Sequence, residues 1–301
     1  RIKPDIVAQG TSVTSTSTSN TYQSQSGTSM STPAVTGGLA LLYQRYRQLH
    51  QNNNPKNALM KALICNGATD RGLPGPDFSY GFGQMNLLRS VTMLDKGNYK
   101  SGSIAHQGKD THFINVPANT AQLKMMLYWN DATPSMLAGG KSLVNDLDIK
   151  LVTPSGTQVL PIFPTKSDVN AAAMPGIDTL NNIEQIVVDS PATGTYSILV
   201  SGSKVPSGPQ EYFIVYDVIE RNSIITYPTK AEKLSKGDEV NIQWESNGET
   251  TGSYSVSYSL NNGASWIPIS NNVSSSSRLL SWTVPDATTN IAKIRIQQNG
   301  T

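Results

Sequence analysis

The most reactive arrangement in this sequence is Gly27-Thr28-Ser29-Met30-Ser31-Thr32-Pro33, where a Ser/Thr-rich loop gives way to a helical apolar pattern. A hydroxyl there lies at the positive end of a helix, beside N–H groups without intrahelical partners, a place that favours developing negative charge. Two readings of Ser29 are open on these residues alone: a nucleophile for acyl transfer, or an ordinary N-cap, for which Ser is a preferred residue. The α/β-hydrolase elbow G-x-S-x-G is a poor match, because Ser31 stands where that turn needs glycine.

A serine nucleophile needs a base. The three histidines stand in the contexts His50-Gln51-Asn52, His106-Gln107-Gly108 and His112-Phe113-Ile114, and each reads as structural. The single cysteine, Cys65, follows Ala62-Leu63-Ile64 and reads as a packed small hydrophobe; one cysteine also rules out an intramolecular disulfide.

The elements that must position Ser29 come next. A short strand is expected at Asp5 to Ala8, a loop from Thr11 to Gln25, and a helix from about Ser29 to Leu49 with Val35, Leu39, Leu42, Tyr46 and Leu49 on its apolar face. Pro33 is expected in the first turn, where its missing N–H costs nothing, and the Gly37-Gly38 pair suggests a helix buried on much of its surface. A second helix is expected from Pro55 to about Asn66, stopped by Gly67, and a third near Met85 to Leu94.

Beyond Gly97 the period becomes two. Thr111 to Val116, Leu123 to Trp129, Asp146 to Val152, Ile183 to Val188, Thr195 to Val200 and Glu211 to Val218 read as strands of an antiparallel sandwich or jelly roll. From about Ile224, Val240 to Trp244, Tyr254 to Ser259, Leu279 to Thr283 and Ala292 to Gln297 alternate around an Asn261-Asn262-Gly263 turn, as in an immunoglobulin- or fibronectin-like sandwich, with truncation before its last strand as one reading. Trp244, Tyr254, Tyr258, Trp266 and Trp282 read there as packing residues.

Lys3-Pro4-Asp5-Ile6-Val7-Ala8-Gln9-Gly10, followed by Gly27-Thr28-Ser29-Met30 and Thr32-Pro33-Ala34-Val35-Thr36-Gly37, resembles the end of a subtilisin-family (subtilase) catalytic domain around its active serine. Leu59 to Ala68 and Tyr80-Gly81-Phe82-Gly83-Gln84-Met85-Asn86 resemble that domain's closing segments, while Gln9 and Ser31 depart from the usual Pro and Ala. The resemblance implies that Ser29 is the nucleophile, that its N–H is one oxyanion donor, and that Thr28 lies beside the hole. It also implies that the catalytic Asp and His and the oxyanion Asn precede Ser29 along the chain. All three would lie before Arg1, so this chain alone is expected to be inactive and to depend on an upstream part of the same domain.

The segments Tyr128-Trp129-Asn130-Asp131, Leu143-Val144-Asn145-Asp146-Leu147-Asp148 and Asn181-Asn182-Ile183-Glu184 resemble the jelly-roll domain that follows some large subtilases, and such domains can bind calcium. Alternation puts Asp146 and Asp148 on one face, where Asn182 and Glu184 would complete an oxygen cage; a solvated acidic face is the alternative.

The expected architecture is thus multidomain: the C-terminal part of an α/β subtilisin-like domain (1–95), a jelly-roll β-sandwich (96–221) and a second β-sandwich of immunoglobulin or fibronectin type (222–301). Only 15% of residues are charged and the formal net charge is +2, without a basic stripe, so nucleic acid is excluded as a partner; no apolar run reaches membrane-span length. Abundant uncharged polar residues point to an extracellular protein, and the subtilase resemblance implies protein or peptide substrates. The alternative is a non-catalytic extracellular β-sandwich binding or adhesion protein.

Overall fold

The computed structural model describes residues 1–134, 142–165, 167–230, 232–248 and 252–299. These residues form two compact units: Arg1–Ala118 with Leu123–Val218, and Asn119–Gln122 with Ile219–Thr301.

The first unit holds three helices, α1 (Thr28–Leu49), α2 (Asn57–Asn66) and α3 (Leu87–Asp95), and a β-sandwich. One sheet has six strands in the order Tyr99–Ile104, Gln210–Glu220, Thr120–Tyr128, Ile183–Asp189, Ile162–Phe163 and Met174–Pro175. The other has four: Lys109–Val116, Gly194–Lys204, Asp146–Val152 and Gln158–Val159.

The six-stranded sheet is covered on both faces, which is why every residue of Thr120–Tyr128 except Gln122 is buried, Thr120 and Lys124 included. Leu123, Met125 and Leu127 point into the sandwich core with Leu147, Ile149, Leu151, Ile198 and Tyr212. The alternate residues Met126 and Tyr128, with Ile183, Phe213 and Val215, join a second core shared with Leu42, Leu59, Leu63, Met93 and Leu94 of the helices. Residues 1–95 therefore rest on the sandwich through a common core.

α2 is the most enclosed helix: of its ten residues only Asn57 and Lys61 escape burial. Its end comes very near α3, since a Cβ on Gly67 would sit 2.5 Å from Ser90 Oγ; the glycine is what permits that approach. α1 corrects the sequence reading, because only Gly38 and Leu42 are buried along its 22 residues. The apolar stripe marks the side that faces α2 and α3, but within this chain nothing described covers the other side, where Leu41 is 53% exposed.

Two further expectations change. Asp5 to Ala8 forms no regular strand, only a single bridge between Val7 and Gln84. The segment expected as a loop contains a hairpin, Val13–Ser17 paired antiparallel with Thr21–Gln25.

The second unit is a sandwich of two three-stranded sheets, Asn222–Tyr227, Glu239–Asn247, Leu279–Thr283 and Ile267–Ser274, Ser253–Ser259, Lys293–Asn299. Its core is Ile242, Trp244, Tyr254, Val256 and Val273. Of the other aromatics, Tyr258 packs on Trp282 and Trp266 lies under the Arg295 guanidinium, 4.2 Å from the ring centre.

Candidate active site around Ser29

The helix carrying Ser29 begins one residue earlier than its pattern suggests. Gly27 is the N-cap, with φ 152°, and its carbonyl oxygen accepts from Met30 N–H at 3.0 Å. Ser29 is therefore the second helical residue and not the cap. It is exposed, and neither its hydroxyl nor its N–H has a hydrogen-bond partner among the described residues. The neighbouring hydroxyls are spoken for: Ser31 Oγ and Thr32 Oγ1 both donate to the Thr28 carbonyl oxygen, at 3.0 and 2.8 Å. Ser29 thus presents a free hydroxyl in the first turn, where the unsatisfied N–H groups concentrate positive potential.

Pro33 is the sixth helical residue and not part of the first turn. Having no N–H, it leaves the Ser29 carbonyl without its usual donor four residues on.

The turn is held from outside by the segment before it. Gly27 N–H donates to the Gly10 carbonyl oxygen at 2.7 Å, and Ser12 N–H donates to Ser26 Oγ at 2.9 Å. A Cβ on Gly10 would lie 2.8 Å from the Gly27 oxygen, so this contact requires glycine.

Beside α1 runs a groove of ≈ 480 Å³ lined chiefly by Ile6, Val35, Leu39, Met60, Ile64 and Tyr128. At its rim Asp5 pairs with Lys61 at 3.0 Å and with Lys3 at 2.6 Å. Burial works to raise the Asp5 carboxyl, and the two lysines outweigh it, holding the group below its ordinary value. Cys65 lines the same groove; it is 1% exposed, and burial pushes its thiol up to about 12, so it stays protonated and inert at neutral pH.

Each histidine is engaged away from Ser29. His50 bonds the Tyr46 carbonyl and the Tyr99 hydroxyl, both at 2.8 Å; His106 accepts from Val205 N–H; His112 meets the Tyr212 hydroxyl at 2.9 Å. Among the described residues no hydrogen bond joins a histidine to Ser29.

The four residues expected to hold calcium are only partly brought together. Glu184 is 2% exposed; its Oε2 accepts from Ile149 N–H at 2.8 Å and its Oε1 has no hydrogen-bond partner among the described residues. Burial, and then the charges of Asp148, Asp178 and Asp146, raise its proton affinity well above the ordinary. Asp146 is buried, while Asp148 accepts from Ser203 Oγ. Asn182 does not fit the cage: its amide donates to the Trp129 carbonyl oxygen at 2.6 Å and its oxygen accepts from Arg1 at 3.0 Å. Among the described residues no three His, Cys, Asp or Glu side chains converge at metal-binding distance. The carboxylates therefore lie near enough to repel without forming a finished coordination shell.

Three structural features around Ser29 escaped the sequence reading: the groove, the Asp5–Lys61 pair and the Gly10–Gly27 contact. Only the last left a trace, as two glycines flanking a run of small hydroxyl residues.

Residues 1–83 match the family model described as Subtilase family. Among curated proteins, the chain is 25% identical over 72% of its length to the serine protease/ABC transporter B family protein tagB of Dictyostelium discoideum, covering 15% of that protein. It is 44% identical over 23% of its length to the PII-type proteinase of Lactococcus lactis subsp. cremoris, 3% of that protein. It is 36% identical over 32% of its length to the membrane-bound transcription factor site-1 protease of Homo sapiens, 9% of that protein. The chain thus spans a small fraction of the relatives it matches.

Proposed function

Residues 1–83 of this chain are subtilase-like, and from that premise we propose that Ser29 is the nucleophile of a serine endopeptidase that hydrolyses protein or peptide substrates. The observation that carries the reading is the unpartnered, exposed Ser29 hydroxyl in the first turn of α1, behind a glycine cap. Ser29 Oγ attacks the scissile carbonyl carbon as its proton passes to a histidine. The Ser29 N–H stabilises the oxyanion, with Thr28 alongside, and the amine leaves with that proton. Water then cleaves the acyl-enzyme by the same route in reverse order.

The base, its aspartate and the oxyanion asparagine are proposed to come from an upstream part of the same domain. Support comes from the uncovered side of α1 and the apolar groove beside it, surfaces suited to further packing. Without a base the chain by itself is proposed to be inactive. Secretion is proposed on its uncharged polar composition; no helix among the described residues is long and apolar enough to cross a membrane. The sandwich is proposed to be of the jelly-roll type and to bind calcium at Glu184, where a cation would neutralise buried negative charge and would have to draw in Asp146 and Asp148, which do not converge with it at metal-binding distance among the described residues.

The test compares the 301-residue chain with an N-terminally extended form from the same reading frame. The extended protein is expected to cleave casein and take a fluorophosphonate label at Ser29, and Ser29→Ala to abolish both. Cleavage that survives Ser29→Ala would sink the nucleophile assignment, and fluorophosphonate-sensitive turnover by the 301 residues alone would sink the proposed inactivity.

A further inference from the structure

The backbone that carries Ser29 is tied to the sandwich by a run of direct contacts that begins at one buried side chain. Lys124, on strand Thr120–Tyr128, is 6% exposed, and its ammonium donates to the Ala68 carbonyl oxygen at 2.7 Å. The next residue, Thr69, exchanges both backbone hydrogen bonds with Gln84, each at 2.8 Å. The segment through Gln84 is in turn bonded to Val7: Val7 N–H donates to the Gly83 carbonyl oxygen at 3.0 Å, and Met85 N–H donates to the Val7 carbonyl oxygen at 2.8 Å. Just beyond Val7, the Gly10 carbonyl oxygen accepts from the N–H of Gly27, the N-cap of α1.

This ladder has no slack. A Cβ on Gly83 would collide with the Thr69 carbonyl, one on Gly81 with the Pro4 carbonyl, and one on Gly10 with the Gly27 carbonyl. Backbone therefore lies directly on backbone at each step, with no side chain between to take up a displacement. A shift at Ala68 is passed on to Gly27, and Ser29 follows that cap along the chain.

We propose that Lys124 is a positioning residue for Ser29, fixing from the sandwich one end of the backbone ladder whose other end holds the nucleophile turn. This deepens the endopeptidase reading and rests on it. Lys124 does not touch the reacting atoms; it acts through Ala68, Gln84, Val7 and Gly10. Its bond to Ala68 is charge-assisted, and so about twice as strong as one between neutral groups. The charged groups facing it are Arg89 of α3, Asp217 of strand Gln210–Glu220 and Asp70 of the loop after α2. Burial and Arg89 favour loss of the Lys124 proton, while the two carboxylates favour its retention. With the ammonium brought down to about 8, the anchor weakens in mildly alkaline solution, and the nucleophile turn responds.

The test uses the N-terminally extended protein. With Ser29→Ala to prevent self-cleavage, and with ¹⁵N-glycine and ¹³C-lysine labels, the amides of Gly10, Gly27 and Gly83 are followed from about pH 6 to about pH 10. They are expected to shift with the midpoint of Lys124 Cε, about 8, and Lys124→Met to remove that transition. With Ser29 intact, Lys124→Met is expected to slow the rate constant for fluorophosphonate labelling at pH 7 by about tenfold to a hundredfold, the effect of a displaced nucleophile. The KM for a casein peptide is expected to stay unchanged, since no substrate contact is lost. A merely structural role would lower the amount of enzyme that takes the label and leave the rate constant as it was. Should Lys124→Met fail to fold, the glycine titration still decides. A wild-type rate constant in Lys124→Met, or a Gly27 amide that does not move with Lys124, would overturn the proposal. Failure of the extended wild type to take the label at Ser29 would instead sink the protease reading, so the two failures are distinguishable.

Discussion

Lys124 Nζ donates a hydrogen bond to the Ala68 carbonyl oxygen across 2.7 Å, joining the sandwich to the carbonyl end of α2 at a place where Lys124 is only 6% exposed. The contact sits in a buried polar seam. Asn66 Nδ2 donates to the Lys124 carbonyl oxygen, Gln185 Nε2 donates to Asn66 Oδ1, and Arg89 pairs with Asp217 at 3.4 Å. Placing a cation at a helix C-terminus is favourable, and surrounding it with protein is costly.

That cost has a pH signature. Burial, helped by Arg89 and opposed by Asp217 and Asp70, brings the Lys124 ammonium down to about 8 from its ordinary 10.5. The folded state thus binds this proton more weakly than the unfolded state. The penalty is full below pH 8 and is relieved as pH rises from about 8 to 10.5, so this group makes the protein more stable with rising pH in that window. Urea unfolding of wild type and Lys124→Met across the window is expected to show the wild type gaining on the variant, by on the order of 3 kcal/mol. Parallel profiles would show that the seam carries no such penalty.

Neighbouring leucines on α1 should behave differently. Leu42 is fully enclosed and Leu41 is 53% exposed. Leu42→Ala is expected to cost about 2–5 kcal/mol through lost burial and a residual cavity, and Leu41→Ala within about 0.5 kcal/mol. Urea midpoints at constant slope check this; comparable losses would mean that α1 seats a different face.

Glu184 tests the calcium proposal. Its carboxyl is raised by burial and by Asp148, Asp178 and Asp146, so folding favours its protonated form. Its contribution to stability is fully present below the ordinary carboxylate value and is lost as pH rises from there through its raised folded value, so that once ionised it is a cost in the absence of a cation. In chelator at pH 7, Glu184→Gln is expected to raise the melting temperature. In calcium at about a hundred times its dissociation constant, the wild type is expected to gain about 2.7 kcal/mol and the variant much less. A wild-type melting temperature identical in calcium and chelator would remove the metal.

Much of the fold was legible wherever burial imposes a period. Asp146–Val152 and Leu279–Thr283 fall where alternation puts them, because one face of each strand meets a core. The hairpin at Val13–Gln25 was not legible, since neither face is covered by apolar packing and its Ser/Thr alternation carries no hydrophobic signal. The Ser29 motif was readable because its residue types are chemical. Its place as second helical residue was not, because Gly27 and Ser29 are both acceptable caps in isolation.

By itself the sequence determined which residues could do chemistry and which side of each element is apolar, since both are properties of residue type and spacing. What meets each apolar side was decided only in three dimensions. Val35 and Leu39 mark a stripe on α1, yet they line an open groove while Leu42 is enclosed. Lys124 looks like a solvated residue within a strand, yet it lies in the seam against α2 because the sheet carrying it is covered on both faces. Periodicity records the direction in which a side chain points, and burial depends on whether another surface arrives there.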